Sequence, residues 1–263
     1  MKLTSTLPLL ASMALIANAA PLERRAGTSY SGGNTANDVV NKICAPVTLI
    51  FARGSTESGN MGSSVGPALA KALISQLGAS GVAIQGVDYE ATIASNANMG
   101  SGGGPVMASL AKQALSQCPN TKIAISGYSQ GGTVTHYAVK SAGLSPDSVS
   151  SAVLFGDPLL RQSVGSLPAS KVKEFCASGD GVCEGGTFSI SAAHLSYTSN
   201  GDTTAGAQFI AQQAGASSGS ASATGSTPTT STPATTTTAP AASTSTTAAA
   251  STPKTTKPWW QWW

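Results

Sequence analysis

The chain has 263 residues, 41% hydrophobic and 10% charged, with 14 Lys and Arg against 11 Asp and Glu and a formal net charge of +3. The basic excess lies at the ends: residues 26–215 carry nine basic and ten acidic side chains, a net −1, so the composition gives no support to a nucleic-acid-binding surface. Two histidines in the whole chain make metal chemistry improbable, and neither a metal nor a cofactor is expected.

Residues 1–20 read as a secretory signal peptide. Lys2 precedes the apolar run Leu7 to Ile16 and the small-residue site Ala17-Asn18-Ala19. That run is too short to cross a bilayer, so no transmembrane segment is expected and the product is extracellular. Residues 21–25 end in the dibasic pair Arg24-Arg25 and read as a propeptide, leaving 26–215 as one domain. Within it short apolar runs alternate with helix-period segments, the pattern of a mostly parallel sheet covered by helices. Strands are expected at 47–51 (VTLIF), 82–87 (VAIQGV), 122–125 (KIAI), 152–155 (AVLF) and 172–175 (VKEF), and helices at 65–77, 105–117, 131–142 and 205–214. In the first helix Leu69, Leu73 and Leu77 recur every four residues as a buried stripe.

Residues 216–258 consist almost wholly of Ser, Thr, Ala, Pro and Gly, the composition of an extended, O-glycosylated stalk without a core. Residues 259–263 hold all four tryptophans and read as a patch that adheres to a wall or polymer surface. Cys44, Cys118, Cys176 and Cys183 fit no zinc spacing and, in an exported chain, allow three disulfide connectivities.

The pentapeptide G-x-S-x-G occurs around Ser64, Ser129 and Ser217. A nucleophile elbow needs a strand before the serine and a helix after it. Only Ser129 satisfies this, with TKIAIS in front and GGTVTHYAVK behind, and Gly127 and Gly131 free the turn of side chains. A serine hydroxyl needs a base. His136 is seven residues along the same helix, about 10 Å away along its axis, so it is out of reach and takes a structural or solvent role. His194 lies after the last strand, where the order nucleophile, acid, histidine places the base. The acid then falls between them, and Asp147, Asp157, Glu174, Asp180 and Glu184 are the candidates. Asp180 is favoured because Cys176 and Cys183 flank it after the fifth strand, whereas Asp157 in Gly-Asp-Pro suits a bond within its own turn.

The segments ARGSTESGN (52–60), GYSQGG (127–132), CASGDGVC (176–183) and AHLSY (193–197) together resemble the fungal cutinase family, which includes the related acetylxylan esterases, over roughly residues 40–213. The resemblance implies an α/β hydrolase: a three-layer α/β/α sandwich with a five-stranded parallel sheet, and a triad of Ser129, Asp180 and His194. It also implies an oxyanion hole from Ser55 and Gln130, and disulfides pairing Cys44 with Cys118 and Cys176 with Cys183. Ile93 matches a position where cutinases carry an apolar residue, and Phe188 and Ile190 alternate before His194, so the three are expected to receive an acyl chain. No inserted lid helix is seen, which leaves the site open to an insoluble polyester or acylated polymer. The expected product is a monomeric, secreted cutinase-like serine esterase. The competing expectations are an acetylxylan esterase and a non-catalytic wall or adhesion protein built on a hydrolase scaffold.

Overall fold

The computed structural model describes residues 27–185 and 190–215. The leader, Arg24-Arg25, Phe188, Ser217, the Ser/Thr-rich stretch and the tryptophan terminus lie outside the described residues. Five strands, β1 (Val47–Ala52), β2 (Val82–Gly86), β3 (Lys122–Tyr128), β4 (Val149–Phe155) and β5 (Val172–Phe175), form one sheet in the order β2-β1-β3-β4-β5, every neighbouring pair parallel. Helices α1 (Val65–Leu77), α2 (Gly104–Gln117), α3 (Gln130–Lys140), the short α4 (Gly181–Gly185) and α5 (Asp202–Gln213) complete the domain.

Alternation along the strands builds two cores. Leu49 and Phe51 of β1 point to one face with Ile84, Val153 and Phe155, and meet Leu69 and Leu73 of α1 and Ile210 of α5. Ile50 and Ala52 point to the other with Ile125 and Leu154, and meet Met107 and Ala111 of α2 and Val134 and Ala138 of α3. Covering both faces explains why the strands read as near-continuous apolar runs. The result is the expected three-layer α/β/α sandwich with a five-stranded parallel sheet. Among the described residues no helix is long and apolar enough to cross a membrane.

Several elements extend beyond the expected limits. β4 begins at Val149 and includes two serines, of which Ser150 donates to the Ile123 carbonyl at 2.7 Å. β3 continues through Ser126, whose hydroxyl donates to the Val153 carbonyl at 2.6 Å, to Tyr128. α5 starts three residues earlier, at Asp202.

Disulfides join Cys44 to Cys118 and Cys176 to Cys183, with sequence separations of 74 and 7. A chain-entropy estimate gives about 4.5 kcal/mol for the long loop and about 2.5 kcal/mol for the short one. Removing Cys44 and Cys118 together is therefore expected to lower the urea midpoint more than removing Cys176 and Cys183 together. Chemical denaturation of the two double alanine variants checks this, and the reverse order contradicts it.

Candidate active site

Ser129 stands where β3 turns into α3, with φ 54° and ψ −118°. Such a backbone costs of order 1–3 kcal/mol for a residue with a side chain and persists only where its surroundings enforce it. Here the Ser129 N–H donates to the Phe155 carbonyl at 2.9 Å, and the Gly132 N–H donates to the Ser129 carbonyl at 2.8 Å. Two glycines permit the turn. A Cβ on Gly127 would lie 2.0 Å from the Gly131 carbonyl oxygen, and one on Gly131 would lie 2.0 Å from that of Ala52. Gln130, the first residue of α3, has an N–H with no acceptor inside the helix.

Ser55 follows β1 and is wired to Gln130. Its hydroxyl donates to Gln130 Oε1 at 2.9 Å and accepts from Asn96 Nδ2 at 2.9 Å, while Gln130 Nε2 donates to Ser95 Oγ at 2.7 Å. The loop carrying Ser55 is pinned by Glu57, whose carboxylate accepts from the N–H groups of Gly54 (2.8 Å), Ser63 (3.1 Å) and Ser64 (3.0 Å). Ser64, the centre of another G-x-S-x-G, directs its own hydroxyl to Glu57 at the start of α1. Asn96 escaped the sequence reading, because no motif marks it.

His194 and Asp180 form a buried pair, 1% and 0% exposed. His194 Nδ1 lies 2.9 Å from Asp180 Oδ1 and 2.8 Å from Oδ2. An ionised carboxylate only accepts, so Nδ1 carries the proton and Nε2 is the basic nitrogen. That Nε2 is buried and makes no hydrogen bond within the protein. The Tyr128 ring stacks on the imidazole at 5.1 Å, and its hydroxyl donates to the His194 carbonyl at 2.9 Å. Asp180 precedes α4 and also accepts from the Val182 N–H at 2.9 Å and from the Tyr197 hydroxyl. Burial by itself raises the Asp180 carboxyl. The hydrogen bonds from His194 and Tyr197, the histidine's charge and the Val182 N–H outweigh it and hold the group below its ordinary range. Gly156 makes room for the pair, since a Cβ there would lie 2.7 Å from His194 Cε1.

Ser129, Gln130, Ser55 and His194 line one cleft of about 380 Å³ together with Ile93, Val182, Ile190 and Leu195. Ile93, Ile190 and Leu195 are 72%, 57% and 64% exposed, and they account for three of the four exposed large hydrophobic side chains among the described residues. Leu195 was not singled out from the sequence, although it adjoins His194 in AHLSY.

None of the other acid candidates takes the place of Asp180 on His194: Asp147 lies just before β4, and Glu184 is exposed on α4, where it accepts from the Gly179 N–H at 3.0 Å. Asp157 accepts from the Leu159 N–H of its own turn at 3.1 Å and also pairs with His136 Nε2 at 2.9 Å, so His136 is a buried structural residue behind the elbow. Glu174 joins them to form a group whose potential ligand atoms lie within 4.8 Å of one another. Burial and the Asp157 charge push the Glu174 carboxyl up.

Known proteins resemble this chain in sequence and in fold. The Cutinase family model matches residues 43–214. Cutinase 4 of Emericella nidulans is 46% identical over 197 residues, covering 74% of this chain and 82% of the relative. A Trichoderma reesei cutinase solved with a phosphonate inhibitor superposes with a TM-score of 0.62 at 35% identity, covering 69% of this chain and 80% of that one. An acetyl xylan esterase superposes with a TM-score of 0.53 at 25% identity, covering 65% and 99%.

The lowered Asp180 carboxyl has a signed consequence for stability. Its contribution is complete above the unfolded value of about 3.9 and is lost as pH falls through the lower folded value. The gap in urea midpoint between the parent and Asp180→Asn is expected to be large at pH 5 and to shrink below about pH 4. Denaturation curves at pH 5 and pH 3 measure it, and a gap that widens on acidification contradicts the assignment.

Proposed function

Because the chain belongs to the cutinase family, we propose that it is a secreted serine esterase acting on cutin-like polyesters and on short-to-medium acyl esters, with Ser129, His194 and Asp180 as its triad. The observation that carries this reading is the unpaired basic Nε2 of His194 lining the same cleft as Ser129, with Ile93, Ile190 and Leu195 around it. Nε2 takes the Ser129 hydroxyl proton as Oγ attacks the ester carbonyl carbon. The oxyanion that forms is held by the Gln130 N–H and by Ser55, whose hydroxyl turns its proton from Gln130 Oε1 to the oxyanion while Asn96 keeps its oxygen in place. The alkoxide leaves with the proton from His194. Water, deprotonated by the same nitrogen, then attacks the acyl-enzyme, and His194 returns that proton to Ser129 Oγ as the acid departs. Asp180 holds the imidazole in the productive tautomer and stabilises its cation.

The exposed apolar rim suits a substrate with long methylene stretches that cannot enter a closed pocket. In this reading residues 1–20 direct export, residues 216–258 carry O-linked sugars and residues 259–263 adhere to a polymer. The second reading, removal of acetyl groups from xylan, draws on the superposition with an acetyl xylan esterase, but the apolar rim has no role in it.

Hydrolysis of p-nitrophenyl esters is expected to rise from acetyl to medium chains, to extend to a model polyester and to vanish in Ser129→Ala. Ser55→Ala is expected to lower kcat about 10²-fold. Release of acetate from acetylated xylan with no action on longer esters would move the chain to the second reading.

A further inference from the structure

We infer that Tyr197 is a positioning residue that sets the proton affinity of the Asp180–His194 pair, an inference that rests on the esterase reading above. Tyr197 is 0% exposed and one of the largest fully buried side chains. Its hydroxyl oxygen accepts from the Ala177 N–H at 3.1 Å, and its own proton goes to Asp180 Oδ2. The ring cannot swing away: it meets Tyr128, Phe155 and His194 edge-on at centroid distances of 6.0, 6.0 and 6.3 Å. Asp180 Oδ2 therefore serves two donors at once, the phenol and the imidazole Nδ1–H.

A hydrogen bond to a carboxylate stabilises the anion and draws charge from the oxygen that accepts it. Asp180 then attracts the imidazolium less strongly than an unshared carboxylate would. His194 is cationic between proton uptake from Ser129 and delivery to the leaving alkoxide, so this sharing eases delivery. It also keeps the histidine in its basic form to lower pH. Tyr128 provides the internal comparison. Its hydroxyl reaches the uncharged His194 carbonyl, so it places the histidine without altering the carboxylate. Among the described residues the other ionisable groups around the pair are Tyr128 on β3, Glu57 in the loop after β1, and the exposed Glu184 of α4, which accepts from the Gly179 N–H at 3.0 Å. A change at position 197 leaves all three in place.

The test uses the full secreted chain in three forms: Tyr197→Phe, Tyr128→Phe, and 3-fluorotyrosine at position 197, whose phenol is a stronger donor. Two quantities are read: the pH dependence of kcat/KM on a soluble p-nitrophenyl ester, and the low-field proton resonance of His194 Nδ1–H. Tyr197→Phe is expected to lower kcat/KM about tenfold and to move the acid limb to higher pH by about half a unit. Fluorotyrosine moves the limb the opposite way, and Tyr128→Phe leaves it where it is. Superimposable limbs for the parent and both position-197 proteins overturn the inference even if the rate falls, because lost packing lowers a rate without moving its titration. If Tyr197→Phe does not fold, the near-isosteric fluorotyrosine protein decides alone. Should the chain hydrolyse no ester, the esterase reading fails separately, and the Nδ1–H resonance still reports whether position 197 acts on the pair: a shift relative to the parent supports the inference, and an unchanged resonance overturns it.

Discussion

The site rests on a backbone constraint, the turn that holds Ser129 at φ 54° between a central parallel strand and the helix behind it. A β3 buried on both faces delivers the serine to the carboxyl edge of the sheet. The close approach of the Gly127 and Gly131 backbones allows the reversal within a few residues. One turn thereby sets two functions, since the geometry that lifts the hydroxyl also leaves the Gln130 N–H at the unsatisfied start of α3. The carbonyl of Phe155 at the end of β4 fastens the same turn, and the next residue, Gly156, makes room for His194 and Asp180. Ser129 and the His194–Asp180 pair are thus registered against each other through adjacent ends of β3 and β4.

Burying charge beside this turn is compensated locally. Asp180 has a histidine, a tyrosine and a backbone N–H, which offset the cost of removing its anion from water. Asp157, on the other side of the elbow, has His136 and a backbone N–H. The two histidines of the chain therefore sit in similar hydrogen bonds to aspartates, yet only His194 lines the cleft. Access separates the catalytic candidate from the structural pair.

Legibility in the sequence followed the range of the interactions. The five strands and four main helices were readable because both sheet faces are buried and the helices carry apolar stripes. The start of β4 is not legible because its polar residues bond to the neighbouring strand, as Ser150 does, and a hydroxyl that satisfies a backbone carbonyl looks like a loop residue in one dimension. Ser129 was legible from local punctuation, and Asp180 from the cysteines that bracket it. Asn96 lies in no quoted motif and reaches Ser55 across 41 positions, while Tyr197 closes the AHLSY segment but reaches Asp180 across 17, a partner that the segment alone does not reveal. Asp157 bonds within its own turn, as Gly-Asp-Pro suggests, but its second partner lies 21 residues back on α3.

In the proposed mechanism one serine, raised on the β3–α3 turn and served by His194, is the nucleophile. Mass spectrometry of the chain after reaction with an alkyl phosphonate ester, followed by peptide mapping, addresses it directly. A single adduct on Ser129 and loss of labelling in His194→Gln are expected. An adduct on Ser64 or another residue, or esterase activity that survives complete labelling of Ser129, would contradict it.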